Sequence, residues 1–276
     1  MIYTTGSYKS PFDIRTYTYK PTKATHSGGE RYPIKYIDHQ YKVGICTSIS
    51  LTMNVHRATG TKYSPDFQYL LQKKYFDKNW KEGSSAYSSV KMAYEYGMLP
   101  SKYWRKTKIS DRNRSYKSYI KKLQSISDKE IEELLKKCEF PVKGYAKLKG
   151  TKRDYLAMGI NENESGLVVR YSLGNEWWTN PIEPLRSPKK YISGHLVNLT
   201  NFTGDSFRIA NSWGKDWADK GTAYHLHKQY RPTEAWAVFY KDIPKEVNKK
   251  TIVKKVINIA ELLKAIKILR KLGIIK

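Results

Sequence analysis

Apolar positions in the first hundred residues fall mainly with the spacing of amphipathic helices. The segment that begins at Cys46 carries apolar side chains at alternate positions and stops at Gly60. Alternation also fits a strand, and we interpret the segment as a helix. A second helix is predicted from Ser64, an N-cap residue followed by Pro65, and a third ends at Gly97. The pattern therefore predicts a mainly helical first part.

A capping box marks one more short helix before the pattern changes. Ser127 is followed three residues later by Glu130. Beyond it, short runs rich in β-branched and aromatic residues are separated by Gly, Asn, Asp and Pro, which is typical of antiparallel strands. The sequence TGDS at 203–206 predicts a hairpin turn. The fold class is therefore predicted to be α+β. The predicted strand runs are FPVKGYAKL, GLVVRYSL, GHLVNLTNF, SFRIANSW, GTAYHLH and EAWAVFY.

Three further segments differ from these parts in composition. Residues 1–30 have no clear period and are predicted to form an extended arm. Residues 101–124 form a basic connector with interleaved aromatic residues, nine Lys or Arg against one acid. Residues 241–276 carry eleven Lys or Arg against three acids and predict a basic amphipathic helix. Its apolar stripe consists of Ile252, Val256, Ile259, Leu263 and Ile266.

The charge balance of the 276 residues favours anionic partners. Lys and Arg number 51 against 25 Asp and Glu, a formal net charge of +26. Such an excess attracts polyanions. We expect a polyanion, a membrane surface or a capsid protein to bind through 101–124 and 241–276. The alternatives are that the connector is ordinary solvated surface and that the last helix folds back on its own domain.

Cysteine content and the first residues indicate a reducing compartment. The chain has two cysteines, Cys46 and Cys138, whereas secreted enzymes of this size usually carry several disulfides. The N-terminus lacks the apolar core of a signal peptide. We therefore expect a protein that is intracellular or packaged in a virion.

Four residues have the chemistry of a thiol nucleophile and its helpers. Cys46 stands at the predicted start of a helix, whose dipole favours a thiolate. His195 on the predicted sheet would take the thiol proton, and Asn211, beyond the hairpin turn, would orient the imidazole. The backbone N–H of Cys46 and the side-chain amide of Gln40 would stabilise an oxyanion. Taken alone, Cys46 would be interpreted as a buried structural thiol.

The motifs around these residues resemble those of the papain-like (C1) cysteine peptidases. Gln40 with GICTS matches the Gln and Cys segment of that family, and SGHLVNL matches its His segment. IANSWGKDWADKG matches its Asn segment nearly residue for residue. The resemblance covers residues 31–240. It implies a two-lobed fold, with a helical lobe over 31–124 and a β lobe over 125–240, and a cysteine endopeptidase that acts on polypeptides without a metal or cofactor.

The sequence also departs from the lysosomal and plant members of that family. Thr47 follows the cysteine where those members have Trp, and Val43 replaces the half-cystine three residues before it. These features are similar to bacterial and viral forms that have a Cys-Thr pair and no disulfide. Residues 1–39 show no counterpart of the long inhibitory propeptide.

The resemblance also implies which residues line a substrate cleft. One segment would pair with the substrate backbone, one glycine would border the pocket for the second residue upstream of the cut, and two tryptophans would line the leaving-group side. These are Gly83, Ser84 and Ser85 for the segment, Gly194 for the glycine, and Trp213 and Trp217 for the tryptophans.

Other functions remain open at this point. One alternative is a papain-fold structural or docking protein of a virus or phage particle, and another is a nucleic-acid-binding protein. Cys138 is predicted to be a core residue, and His225 and His227 surface or packing residues. No CxxC or HxxxH spacing indicates a metal site.

Overall fold

The computed structural model describes most of the chain up to residue 240. The predicted helix at 241–276 lies outside the described residues, as does most of the predicted arm. No helix in the described part of the chain is long and apolar enough to cross a membrane. The described residues are 7–9, 18–19, 27–28, 34–163, 165–179 and 184–240.

The helices lie mostly in the first half of the chain. The second of them continues into a π-helical turn, Gln72–Asp77, and a 3-10 turn covers Ser101–Tyr103. The helices are α1 (Cys46–Thr59), α2 (Pro65–Leu71), α3 (Ala86–Tyr96), α4 (Ile109–Arg112), α5 (Tyr116–Gln124), α6 (Asp128–Leu135), α7 (Arg153–Asn163) and α8 (Glu176–Thr179).

The longer strands lie in the second half. The strands are β1 (Ser7–Tyr8), β2 (Thr18–Tyr19), β3 (Ser27–Gly28), β4 (Ser84–Ser85), β5 (Gly144–Leu148), β6 (Leu167–Leu173), β7 (Ser193–Thr203), β8 (Ser206–Ala210), β9 (Thr222–Leu226) and β10 (Glu234–Phe239). The main sheet has the order β2-β5-β10-β6-β7-β8-β9, and β3 also pairs with β7. All its pairs are antiparallel except β2 with β5, and β1 pairs separately with β4.

Capping chemistry explains where the predicted helices begin and end. The Ser64 hydroxyl accepts a hydrogen bond from the N–H of Phe67 at 3.1 Å and begins α2. Ser127 and Glu130 form the predicted capping box of α6. Gly60 ends α1 with a φ of +76°, a left-handed conformation that favours glycine. The hairpin between β7 and β8 closes where Thr203 pairs with Ser206, so the predicted turn is confirmed.

Two apolar clusters hold the fold together. The first lies among α1, α2, α5 and α6, and the second joins α1 and α3 to the face of the sheet that carries Val168, Leu196 and Trp236. Ile131 and Leu135 of α6 belong to the first cluster. The predicted boundary between the lobes at residue 124 therefore cuts through the helical core, because α6 packs in that core. The predicted α+β class, with a helical part followed by an antiparallel sheet, is confirmed.

The basic connector at 101–124 is more structured than the sequence predicted. It contains α4 and α5, and Tyr119, Ile120 and Leu123 are buried in the helical core. One of its nine cations, Arg112, is also buried, where it pairs with Asp38 and Asp66 rather than facing solvent. This segment is therefore part of the helical domain.

Candidate active site

Helix α1 places Cys46 against strand β7, which carries His195. Cys46 is the first residue of α1 and is fully buried, in the same apolar cluster as Leu196. One turn further along α1, the Ser50 hydroxyl donates to the carbonyl of Leu196 at 2.6 Å. The structure therefore brings the start of α1 to the part of β7 that holds the imidazole.

The helix start is one influence on Cys46 that favours the thiolate, and it acts against the full burial of the side chain. Backbone N–H groups of a first helical turn have no carbonyl partner within the helix, and their partial positive charge stabilises an anion. The first turn of α1 contains no acidic residue that would oppose this effect. Cys138 differs, because burial and the neighbouring Glu139 raise its pKa to about 12. Burial acts on both thiols, but Cys46 stands at a helix start, whereas Cys138 lies beside the carboxylate of Glu139.

Asn211 fixes the tautomer of His195. The two side chains meet at 2.7 Å between the imidazole Nε2 and the amide Oδ1, and the N–H of Ser212 also donates to Oδ1. An amide oxygen only accepts, so Nε2 carries the proton and donates. The neutral ring then has its lone pair on Nδ1, which has no hydrogen-bond partner in the described structure. The lone pair of Nδ1 is therefore unused within the described structure.

Burial keeps His195 neutral. The imidazole is fully buried, and loss of solvation lowers its pKa to about 4, although the bond to Asn211 acts in the opposite direction. Trp213 stacks on the ring at 4.8 Å between centroids, and the edge of Trp177 faces it at 6.2 Å. Trp217 packs against both tryptophans. The aromatic cluster excludes water from one side of the imidazole.

Gln40 is bound to the same loop as Asn211. Its N–H donates to the carbonyl of Ser212 at 2.9 Å, and the Ser212 hydroxyl donates to its Oε1 at 2.7 Å. An isolated antiparallel β-bridge between the backbones of His39 and Trp213 extends this contact. Because Ser212 occupies the amide oxygen, the amide NH₂ of the buried Gln40 is directed away from that hydroxyl. A role for this NH₂ as an oxyanion donor stays a prediction.

The predicted substrate edge is paired with the arm of the same chain. Ser84 and Ser85 form β4, which pairs in parallel with Ser7 and Tyr8. Gly83 adopts a φ of +87° just before this strand. Substrate binding by residues 83–85 stays a prediction.

The other predicted cleft residues lie on the sheet side. A Cβ on Gly194 would come within 2.2 Å of the Ser7 carbonyl oxygen, so this residue faces the same arm segment as β4 does. Trp213 and Trp217 are both buried, and of the two Trp213 stacks on the imidazole while Trp217 packs against Trp213. A role for these two tryptophans on the leaving-group side stays a prediction.

The sequence predicted no role at this site for two residues, Ser212 and Arg170. Ser212 binds Gln40 and lies inside the Asn motif, whose serine is the signal that was available. Trp177, for which the sequence leaves a cleft position open but favours core packing, is buried and faces the imidazole with its edge. Arg170 lies beside Gly194 and was read only as part of a strand. No group of three or more His, Cys, Asp and Glu side chains that could hold a metal occurs within the described ranges.

The burial of two histidines leads us to expect that the free energy of unfolding decreases in mild acid. His225, whose ring meets the Tyr171 hydroxyl at 2.6 Å, also has its pKa lowered to about 4, chiefly by burial. Below pH 6.5 the unfolded chain protonates both imidazoles, whereas the native state stays neutral down to about pH 4. The unfolded state therefore binds more protons in this window, and the free energy of unfolding decreases as pH falls through it.

Each histidine contributes on the order of 3 kcal/mol over the full window. Urea denaturation at several pH values measures the effect. The same series on His225→Gln is expected to show a shallower fall, because one of the two groups is removed. A free energy of unfolding that stays constant from pH 6.5 to 4.5 would contradict the prediction.

Known structures match the fold along most of the chain. Xylellain, a cysteine protease from Xylella fastidiosa, is 18% identical with a TM-score of 0.65, covering 87% of this chain and 96% of its own. Procathepsin L 3 of Tenebrio molitor larval midgut is 14% identical with a TM-score of 0.60, covering 81% and 73%. ProCathepsin B S9 from Trypanosoma congolense is 14% identical with a TM-score of 0.58, covering 86% of each chain.

Comparison at the sequence level gives a different result. Neither a family model nor a curated protein sequence matches the chain. The structural likeness at 14–18% identity is a likeness of fold, and it agrees with the helical part, the antiparallel sheet and their order along the chain. The chain has the fold of the papain-like cysteine proteases.

Proposed function

We propose that the chain is a cysteine endopeptidase that hydrolyses polypeptides through Cys46, His195 and Asn211. The observation that carries the proposal is the tautomer of His195. The 2.7 Å contact with Asn211 assigns the proton to Nε2 and leaves a basic Nδ1 in a buried site beside the helix that begins with Cys46.

The proposed reaction has two stages. Nδ1 of His195 takes the thiol proton, and the sulfur of Cys46 attacks the peptide carbonyl. The N–H of Cys46 and the Gln40 amide stabilise the oxyanion of the tetrahedral intermediate. The imidazolium then protonates the leaving amine, and a thioester remains on Cys46. Water activated by His195 attacks the thioester, which releases the second product and restores the thiol.

Asn211 and the tryptophans position the base in this scheme. The amide oxygen of Asn211 remains bonded to Nε2–H throughout, so the ring keeps its orientation while Nδ1 gains and loses a proton. Trp213 covers one face of the ring. Restricted solvent access strengthens the bond between imidazole and amide.

Alkylation by iodoacetamide tests the thiol chemistry. Accessibility favours Cys138, which is half-buried, over Cys46, which is fully buried. The proposal predicts the opposite order of rates, because Cys138 is held as a thiol by its raised pKa whereas Cys46 lies at a helix start beside a base. Peptide mapping by mass spectrometry after brief exposure at pH 6 identifies the labelled residue.

The matched controls are the single variants Cys46→Ser and Cys138→Ser. We expect rapid labelling to disappear in the first and to persist in the second. Slow labelling of both cysteines with rates that rise together above pH 8 would contradict the proposal and leave a papain-fold docking protein as the better account. If Cys46 labels rapidly, cleavage of casein by the wild-type protein but not by Cys46→Ser would establish that the substrate is a polypeptide.

A further inference from the structure

Arg170 is a buried cation next to the proposed active site. It lies on β6, where its backbone pairs with Leu196 of β7, and its neighbour Tyr171 pairs with His195. Only 7% of its surface is exposed. Burying a guanidinium costs free energy unless hydrogen bonds and an opposite charge compensate for the lost water.

The hydrogen-bond partners of Arg170 are neutral. Its Nε donates to the carbonyl of Ser7 at 3.2 Å, one terminal nitrogen donates to the Thr233 hydroxyl at 2.9 Å, and the other lies 3.5 Å from the Tyr191 hydroxyl. No ion pair joins Arg170 to a carboxylate of the residues that the structure describes. Glu234, its register partner on β10, forms its ion pair with Lys147 and accepts from the indole of Trp236.

Gly194 opens the space in front of the guanidinium. A Cβ at this position would lie 2.2 Å from a terminal nitrogen of Arg170 and 2.2 Å from the Ser7 carbonyl oxygen. Any larger residue immediately before His195 would therefore displace both groups. The glycine allows an extended chain to approach Arg170 directly beside the imidazole.

Ser7 shows how an extended chain lies at this place. On one side it pairs with Ser84 of β4, and on the other it contacts Gly194 and Arg170. Ser7 is almost fully buried. The segment therefore passes between the helical part and the sheet, and its carbonyl dipole is the negative group that meets the guanidinium.

We propose that Arg170 determines specificity by selecting a substrate with a carboxylate side chain at the cleft position that Ser7 occupies. The inference depends on the proposed peptidase function, because the peptide must displace Ser7 and Tyr8 from β4. A carboxylate pairs with guanidinium more strongly than a backbone carbonyl does, and it supplies the missing opposite charge. The substrate class is an acidic peptide, and the net charge of +26 attracts such peptides.

Matched affinity probes test this selection on the full chain. The probes are peptidyl acyloxymethyl ketones that differ only in Glu or Gln at the first, second or third residue upstream of the electrophile, and the rate at which each labels Cys46 is measured. We expect Glu to react at least about tenfold faster than Gln at one of these positions and similarly at the other two. General attraction by the basic chain would instead favour Glu equally at all three.

Variants at position 170 assign the preference. Arg170→Gln is expected to bring the Glu to Gln ratio close to one, and Arg170→Lys to keep a preference for Glu because it keeps the charge. Arg208→Gln is the matched control: Arg208 lies on β8 and pairs with Asp219, and its loss should leave the ratio unchanged. If Arg170→Gln does not fold, the test depends on the wild-type protein and Arg170→Lys: a Glu preference confined to one position in both supports the inference, and a ratio near one at every position contradicts it.

Two outcomes would overturn the inference. One is a ratio near one at every position in the wild-type protein, and the other is a ratio that persists in a folded Arg170→Gln variant. Failure of the proposed function has a different readout, since it would appear as slow labelling of Cys46 by iodoacetamide. If iodoacetamide labels Cys46 rapidly and no peptide probe reacts, the thiol chemistry stands and the inference about Arg170 fails.

Discussion

His195→Ala is expected to lower kcat/KM for peptide hydrolysis by at least about a thousandfold. The substitution removes the nitrogen that takes the thiol proton and returns it to the leaving amine. It also leaves the Oδ1 of Asn211 without its imidazole donor. Hydrolysis of one fluorogenic peptide by the wild-type protein and the variant, with excess substrate over a range of concentrations, measures the loss. The alkylation rate of Cys46 near neutral pH should fall in parallel.

His225→Ala separates the chemistry from simple loss of a buried histidine. His225 is also fully buried, has a similarly lowered pKa and bonds to Tyr171, but it lies on β9, which β8 separates from the strand of His195. We expect this variant to lose stability and to keep nearly wild-type activity in its folded fraction. If His195→Ala retains more than about a tenth of the wild-type kcat/KM, the assignment of His195 as the base is wrong.

Local signals in the sequence predicted the helices and strands that carry the proposed site. The N-caps Ser64 and Ser127 and the end at Gly60 depend on bonds or angles within a few residues, so the sequence contains the information. The hairpin at 203–206 is equally local. The alternating apolar positions after Cys46 were ambiguous between a helix and a strand, and the structure shows a helix. Because α1 is buried along most of its length, its sequence lacks the polar face that would mark a surface helix.

Helix α7 was not predicted because its sequence lacks a clear apolar period. Gly159 interrupts the pattern in a way that normally argues against a helix. In the fold, a Cβ at this position would lie 3.2 Å from side-chain atoms of both Leu148 and Leu167. The glycine allows the helix to pack closely on the sheet. Tertiary packing thus outweighs local propensity, and that packing is visible only once the sheet is assembled.

The positions that surround the proposed triad are also non-local. Ser212 binds Gln40 across 172 residues, and Arg170 meets Ser7 across 163. Neither contact leaves a periodic signal in the sequence. The residues that perform the proposed chemistry belong to motifs, whereas those that orient them or adjust specificity depend on which strands become neighbours. For this reason the sequence predicted only that Arg170 lies in a strand.

Arg112→Met is expected to lower the free energy of unfolding by about 3–5 kcal/mol. The guanidinium of Arg112 is buried between two carboxylates, 3.0 Å from Asp38 and 2.9 Å from Asp66. Tyr119 donates to Asp66 at 2.7 Å and completes the cluster. Removing the cation leaves two buried anions to repel each other. Urea denaturation monitored by tryptophan fluorescence measures the change.

Arg114→Ala is the matched control on the same segment. Its side chain is 63% exposed and lies 3.9 Å from Asp111, so its loss should change the free energy of unfolding by less than about 0.5 kcal/mol. The comparison separates the buried cation from the eight other basic residues of 101–124. A loss below about 1 kcal/mol in Arg112→Met would show that the buried pairs contribute little.

Arg112→Met is also expected to reduce activity in the protein that remains folded. Arg112 donates to the carbonyl of His39 at 3.1 Å, and its own carbonyl accepts from the N–H of Lys42. These bonds hold the loop that presents Gln40 to Ser212. Loosening that loop should lower kcat more than it raises KM, because Gln40 acts on the oxyanion that forms only in the transition state. An unchanged kcat in folded Arg112→Met would show that the loop keeps its position without the buried cation.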